Sequence, residues 1–176
     1  MLIAVLSDSH DHEPNLRTAL GYCAAKGITT LLHCGDVAGR DTLELLAKNF
    51  RGTAHVVAGN ADYDLDAFTE LARTHPNLTF YGDVGQLTLP EVKIAWCHHP
   101  PQALELARTG RYQAVFHGHT HTPWEQRVGD CTVINPGTLA GTFSRATFAV
   151  YDTATRQAQL IILDQLNPSF SPSLRY

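Results

Sequence analysis

Five short apolar runs in this chain each stop at a polar cluster able to ligate a metal, and this recurrence constrains the fold more than any other feature. Leu2–Leu6 is followed by Ser7-Asp8-Ser9-His10, and run 29–34 by Gly35-Asp36. Run 55–58 is followed by Gly59-Asn60, and run 92–97 by His98-His99. Run 114–116 is followed by His117-Gly118-His119-Thr120-His121. In open α/β sheets ligands bind beyond the carboxyl ends of the strands. If the runs are parallel strands, clusters far apart in sequence meet at one edge.

The intervening segments fit that requirement. Helices are expected over 14–26, 41–50 and 65–73, with Pro14 suited to a first turn and Gly27 to a helix end. Strand, helix, strand at this spacing implies βαβ units and a parallel sheet. Short strands are then expected at 78–81, 86–89 and 92–97, a helix at 101–109, and a strand at 114–117. Further strands follow at Trp124–Val128, 132–135, Thr147–Asp152 and 157–163. Turn signals at Gly129-Asp130 and at 152–155 suit hairpins. An α/β fold of two packed sheets flanked by helices accommodates both halves. The expected organisation is one domain over 1–165 and a Ser- and Pro-rich tail over 166–176.

Several function classes recede on composition. The formal net charge is −4, against a surface for long nucleic acids, which shows an excess of Lys and Arg. The apolar run at the start is too short for a signal-peptide core, and no stretch reaches membrane-spanning length. Cysteines 23, 34, 97 and 131 form no C-x-x-C pair and read as reduced, buried thiols. A cytoplasmic setting with no membrane partner is the expectation.

The seven candidates Asp8, His10, Asp36, Asn60, His98, His119 and His121 exceed one tetrahedral site and suit two ions. Asp8 and His10 are two apart, as are His119 and His121, so an extended chain would point each pair to one side. Asp36, from the second strand, has two carboxylate oxygens and is the expected bridge. Imidazole, carboxylate and amide donors together favour divalent transition ions, Mn2+ first and Ni2+, Co2+, Fe2+ or Zn2+ as alternatives. Two such ions can hold a hydroxide between them for in-line attack at phosphorus.

The ordered set Asp8-Ser9-His10, Gly35-Asp36, Gly59-Asn60, His98 and Gly118-His119-Thr120-His121 resembles the calcineurin-like metallophosphoesterase superfamily. Within it, Ser7-Asp8-Ser9-His10-Asp11, His33-Cys34-Gly35-Asp36 and Asn135-Pro136-Gly137-Thr138 resemble the small bacterial and archaeal phosphodiesterases related to the retromer scaffold subunit. The resemblance implies a four-layer α/β/β/α sandwich. It implies that Asp8, His10 and His121 hold one ion, that Asn60, His98 and His119 hold the other, and that Asp36 bridges. Asn60 and His98 would also be catalytic, near the phosphoryl oxygens. The implied substrate is a small organic or nucleotide phosphodiester. Small members of this branch often self-associate, so a homo-oligomer is an expectation too.

Two positions depart from the family pattern. Many members carry a His after the Gly-Asn pair, assigned as the acid that protonates the leaving group, whereas Ala61 stands here. His99 replaces the usual Gly after the lone His. Water, His12 or His99 would then supply the proton. His99 and Arg145 are candidate substrate-binding residues. His33, His55 and His75 read as structural, and His117 as packing or support for the cluster. The alternative to an enzyme is a protein-binding scaffold on the same fold. Retention of all seven ligand types speaks for the enzyme.

Overall fold

In β1 (Leu2–Leu6) alternate side chains enter two different cores, so this strand needs cover on both faces. Ala4 and Leu6 pack towards the helices α1 (Glu13–Ala25), α2 (Arg40–Asn49) and α3 (Leu65–Thr74). Ile3 and Val5 pack between two sheets. Two-sided burial is why the run is continuously apolar rather than alternating. The computed structural model describes residues 1–166. The expected tail lies, from 167 onward, outside the described residues, and Leu166 packs against the helix-side core.

The first sheet has the order β11-β10-β1-β2-β3-β4. Its strands β2 (Thr30–His33), β3 (Thr53–Val56) and β4 (Leu78–Phe80) continue parallel from β1. The hairpin of β10 (Thr147–Asp152) and β11 (Gln157–Ile162) adds antiparallel to the other side of β1. The second sheet has the order β5-β6-β7-β9-β8. Here β6 (Lys93–Cys97), β7 (Ala114–Phe116) and β9 (Cys131–Asn135) are parallel, and β5 (Val84–Thr88) and β8 (Trp124–Val128) are antiparallel edges.

Three apolar layers hold this together. Leu32, Val57, Trp96, Phe116 and Tyr151 fill the space between the sheets. Ala95, Cys97 and Val115 pack on the outer face with Ala103 and Ala107 of α4 (Pro100–Arg108). The result is the four-layer α/β/β/α arrangement. Burial at roughly 25 cal/mol per Å2 of apolar surface makes these layers the main source of stability.

Some boundaries differ from the sequence expectation. The third strand begins at Thr53, two residues early, because Thr53 N–H bonds to the Thr29 carbonyl and Gly52 packs against that same backbone. The fifth begins at Val84, where pairing with Cys97 of β6 extends the ladder past its apolar part. Residues Leu163–Gln165 leave the sheet as a 3-10 turn. Among the described residues no helix is long and apolar enough to cross a membrane.

Candidate metal centre

The loops after β1, β2, β3, β6 and β7 meet where the carboxyl ends of the two sheets adjoin. Backbone bonds lace them together. Asp8 N–H donates to Gly35 O at 3.1 Å, His10 N–H to Asp36 O at 3.1 Å, and Gly118 N–H to His98 O at 3.1 Å. Glycine is required at two of these junctions. Gly35 has φ +91°, and a Cβ there would sit 2.7 Å from Gly59 N and 2.8 Å from His98 Nδ1. A Cβ on Gly118 would collide with the Ser7 hydroxyl and stand 2.6 Å from the Asp8 carboxylate.

All seven expected ligands come together, in two adjoining sets. In the first, His10 Nε2 and His121 Nε2 are 3.1 Å apart, and His121 Nε2 is 3.3 Å from Asp8 Oδ1. Asp36 Oδ2 lies 3.7 Å from His10 Nε2. In the second, Asn60 Oδ1 is 3.0 Å from His98 Nε2 and 2.8 Å from His119 Nδ1. The same Asp36 Oδ2 is 3.4 Å from His98 Nε2, so one oxygen faces both sets. The other, Oδ1, accepts from Ala61 N–H at 2.7 Å.

The local geometry is not the extended chain that the i, i+2 spacing suggested. Asp8, His10, Asp36, His119 and His121 all have positive φ, between 41° and 73°. Non-glycine residues visit that region rarely, and such outliers concentrate where surrounding structure overrides local preference. The consequence is plainest at His119 and His121. They do not share a side: His119 joins Asn60 and His98, while His121 joins Asp8 and His10.

Supporting hydrogen bonds orient the donors. His98 Nδ1 donates to Cys34 O at 2.8 Å, which turns Nε2 to the cluster. His121 Nδ1 donates to Thr142 O at 3.3 Å with the same effect. The Asp8 carboxylate accepts from His119 N–H at 3.1 Å, and Thr138 Oγ1 donates to Asp8 O at 3.0 Å. Asn135 Nδ2 donates to Gly118 O at 2.9 Å and to Thr120 Oγ1 at 3.0 Å, so the Asn135-Pro136-Gly137 loop braces the last cluster.

Sequence reasoning missed Asp62. Its carboxylate accepts from Asp36 N–H at 3.0 Å, Ala38 N–H at 2.7 Å and Gly59 N–H at 2.6 Å. It therefore ties the second and third loops together beneath Asp36. The available signal was an Asp three residues after Gly59, where a side chain can close a turn. Asp11 was missed similarly and accepts from Gly39 N–H and Thr42 Oγ1.

Other candidates fall outside the sets or at their margin. His99 is exposed, with its ring 4.7 Å from that of His119 and 4.9 Å from that of His98. Arg145 is not brought into either set; its guanidinium donates to the Asp164 carboxylate at 2.6 and 3.2 Å. His12 begins α1, its Nδ1 accepting from Asn15 N–H at 3.3 Å. His33 meets the Ser9 hydroxyl, His55 meets Tyr81, and His117 lies against Gly118 O. A cavity of about 580 Å3 opens beside Asn60, His98 and His99, with Leu65, Asp83 and Gln102 on its walls.

The electrostatics set the burial of two carboxylates against the imidazoles around them. Burial pushes the Asp8 carboxyl above its ordinary value, despite nearby His98 and His121. Burial pushes Asp36 the same way, but the His98 hydrogen bond, the Ala61 N–H and the charges of His98 and His10 outweigh it, and the carboxyl falls to about 2. Burial alone would lower His98, yet its bond to Asp36 and the charge there raise it. Neither Asp8 nor Asp36 is paired with Lys or Arg among the described residues.

Comparison with known proteins gives a consistent result. The model of the calcineurin-like phosphoesterase superfamily domain matches residues 1–156. Phosphodiesterase MJ0936 of Methanocaldococcus jannaschii is 30% identical over 170 residues, covering 93% of this chain and 100% of that protein. A solved archaeal phosphodiesterase superposes with a TM-score of 0.84 at 29% identity, over 92% of this chain and 99% of that one. Vps29 of Entamoeba histolytica shares the fold, with a TM-score of 0.66 at 18% identity over 92% of this chain and 99% of that one.

Proposed function

Because the chain belongs to the calcineurin-like phosphoesterase superfamily, we propose that it is a metal-dependent phosphodiesterase acting on a small organic or nucleotide phosphodiester. The observation that carries this reading is the charge balance of the site. Asp8 and Asp36 are buried, face His10, His98 and His121, and have no Lys or Arg partner among the described residues. A buried carboxylate that stays charged needs hydrogen bonds or a cation to offset its lost hydration, and a divalent ion does this where no Lys or Arg is present. Divalent ions are cations that imidazole nitrogens and an amide oxygen also satisfy.

The donor set fits two such ions. Asp8, His10 and His121 would hold one, and Asn60, His98 and His119 the other. Asp36 would bridge through Oδ2, since that oxygen faces both sets while Oδ1 is engaged by Ala61 N–H. The carboxylate oxygens among the donors make Mn2+ the first choice, with Ni2+, Co2+, Fe2+ or Zn2+ as alternatives. When bound, two divalent ions supply Lewis-acid polarisation of the phosphoryl group and acidify the attacking water.

The chain's own residues do the positioning. His98, anchored at Cys34 O, and Asn60 hold the side of the cluster that opens to the cavity, where a phosphoryl oxygen and the leaving group would lie. Asp62 fixes the backbone of Asp36 and Gly59, so the bridge and the Asn60 amide keep their separation. Ala61 presents a methyl group directly after the Gly59-Asn60 pair, leaving proton delivery to water or to a neighbouring His. A diester suits a site without Lys or Arg at its buried carboxylates better than a dianionic monoester does. The scaffold alternative has fold likeness alone behind it.

The test is hydrolysis by metal-stripped protein to which Mn2+, Ni2+, Co2+ or Zn2+ is restored, using matched chromogenic diesters and monoesters. Diester turnover that returns with metal supports the reading. Failure of every ion to restore hydrolysis of either ester would overturn it.

A further inference from the structure

His99 is the site residue that neither the capping of α4 nor core packing explains. It is the N-cap of α4, where Ser, Thr, Asp or Asn would bond to the first free N–H groups. Its side chain makes no capping hydrogen bond. Pro100 and Pro101 follow it, and a proline holds the preceding residue away from helical conformation. His99 accordingly has φ −89° and ψ 134°. The Pro-Pro step thus fixes the backbone from which the imidazole projects, beside Asn60 and His98 on the cavity wall.

The donor nitrogens of His98, His99 and His119 all lie within 4.8 Å of one another. The other two already converge, with His119 Nδ1 and His98 Nε2 3.3 Å apart. His99 is exposed, and its ring lies 4.9 Å from that of His98 and 4.7 Å from that of His119. Zinc binds imidazole nitrogen at about 2.0–2.1 Å, so nitrogens that share one ion stand no more than about 4.2 Å apart, and the three donor nitrogens lie close to that spacing. We propose that His99 is a third imidazole ligand of the second metal site, placed there by the juxtaposition of His98, His99 and His119 at the start of α4.

This rests on the metal-centre reading and deepens it, because it makes the two sites chemically unequal. The first set offers two carboxylates and two imidazoles. The second would offer three imidazoles, the Asn60 amide and a share of Asp36. Imidazole-rich sites favour ions late in the Irving–Williams order, whereas carboxylate-rich sites suit Mn2+. The second site should therefore discriminate for Zn2+, Ni2+ or Co2+ over Mn2+ more strongly than the first.

The experiment is a stepwise titration of metal-stripped, full-length protein with Zn2+, Mn2+ and Co2+. Stoichiometry is read by elemental analysis and Co2+ coordination by visible absorption. Wild type is compared with His99→Gly and His99→Gln, each checked for folding by circular dichroism. Both variants should bind the first ion unchanged and the second Zn2+ about tenfold or more weakly, with a smaller loss for Mn2+. The Co2+ spectrum of the second ion should shift in both. Equal second-site affinity and an unshifted spectrum in the variants would overturn the assignment of His99 alone. A wild type that takes up no second ion would overturn it together with the two-metal reading.

Discussion

The Asp36 carboxylate and the His98 imidazole meet at 3.4 Å, and the oxygen that makes this contact is the one that also faces His10 at 3.7 Å. A single atom thus stands between the two halves of the site. Asp36→Asn keeps the shape and the Oδ1 acceptor for Ala61 N–H but removes the charge. Turnover of a diester should fall by about 10²–10³ or more. Steady-state kinetics on the folded variant checks this, and wild-type turnover would remove the bridge assignment.

Asp62 should matter nearly as much without touching substrate. Its carboxylate satisfies three backbone N–H groups, and it is buried. Asp62→Ala leaves those donors without that partner and should cost about 2–4 kcal/mol of stability. Denaturant unfolding of metal-stripped protein measures the loss. A change below about 0.5 kcal/mol, the range of ordinary surface substitutions, would contradict the role.

Ala61 predicts a dependence on the leaving group. With no imidazole at that position, rates across a graded series of phosphodiesters should fall steeply as leaving-group pKa rises. Ala61→His should flatten the slope. A flat dependence in the wild type would show that a proton donor is already in place.

The thiols should be silent. Burial pushes Cys23 and Cys97 up to about 12 and Cys131 to about 11, and raises Cys34 well above its ordinary value. All four are buried and free, and thiolate is the reactive form. At pH 8 a thiol reagent should label none in native protein and all four in denaturant. Rapid native labelling would contradict the packing of β6 and β9.

His33 should make stability acid-sensitive. Burial drives its pKa from 6.5 to about 3, against the pull of Asp36. Below 6.5 the unfolded state takes up a proton that the folded state refuses, so this contribution is complete above pH 6.5. It is lost progressively as pH falls towards 3. At pH 4 the loss is on the order of 3 kcal/mol. Metal-stripped wild type should therefore lose Tm between pH 6.5 and 4 more steeply than His33→Gln. Parallel curves would contradict it.

The site was legible because strand ends are legible. Apolar runs stopping at Asp8, Asp36, Asn60, His98 and His119 mark carboxyl edges whatever the exact boundaries. The boundary shifts at Thr53 and Val84 moved no candidate ligand. What sequence could not supply was conformation imposed from a distance. Spacing suggested that His119 and His121 share a side, but positive φ at both turns them into different sets. Asp62 stayed hidden for a related reason: its partners at residues 36 and 38 come from another loop, and no local pattern points across that gap.

The central claim is that seven side chains hold two ions around one Asp36 oxygen. Anomalous diffraction from crystals loaded with Mn2+ or Zn2+ tests it most directly. The expected result is two peaks about 3.5–4 Å apart, one among Asp8, His10 and His121, the other among Asn60, His98 and His119, with Asp36 between them. A single peak, or peaks away from these residues, would contradict it.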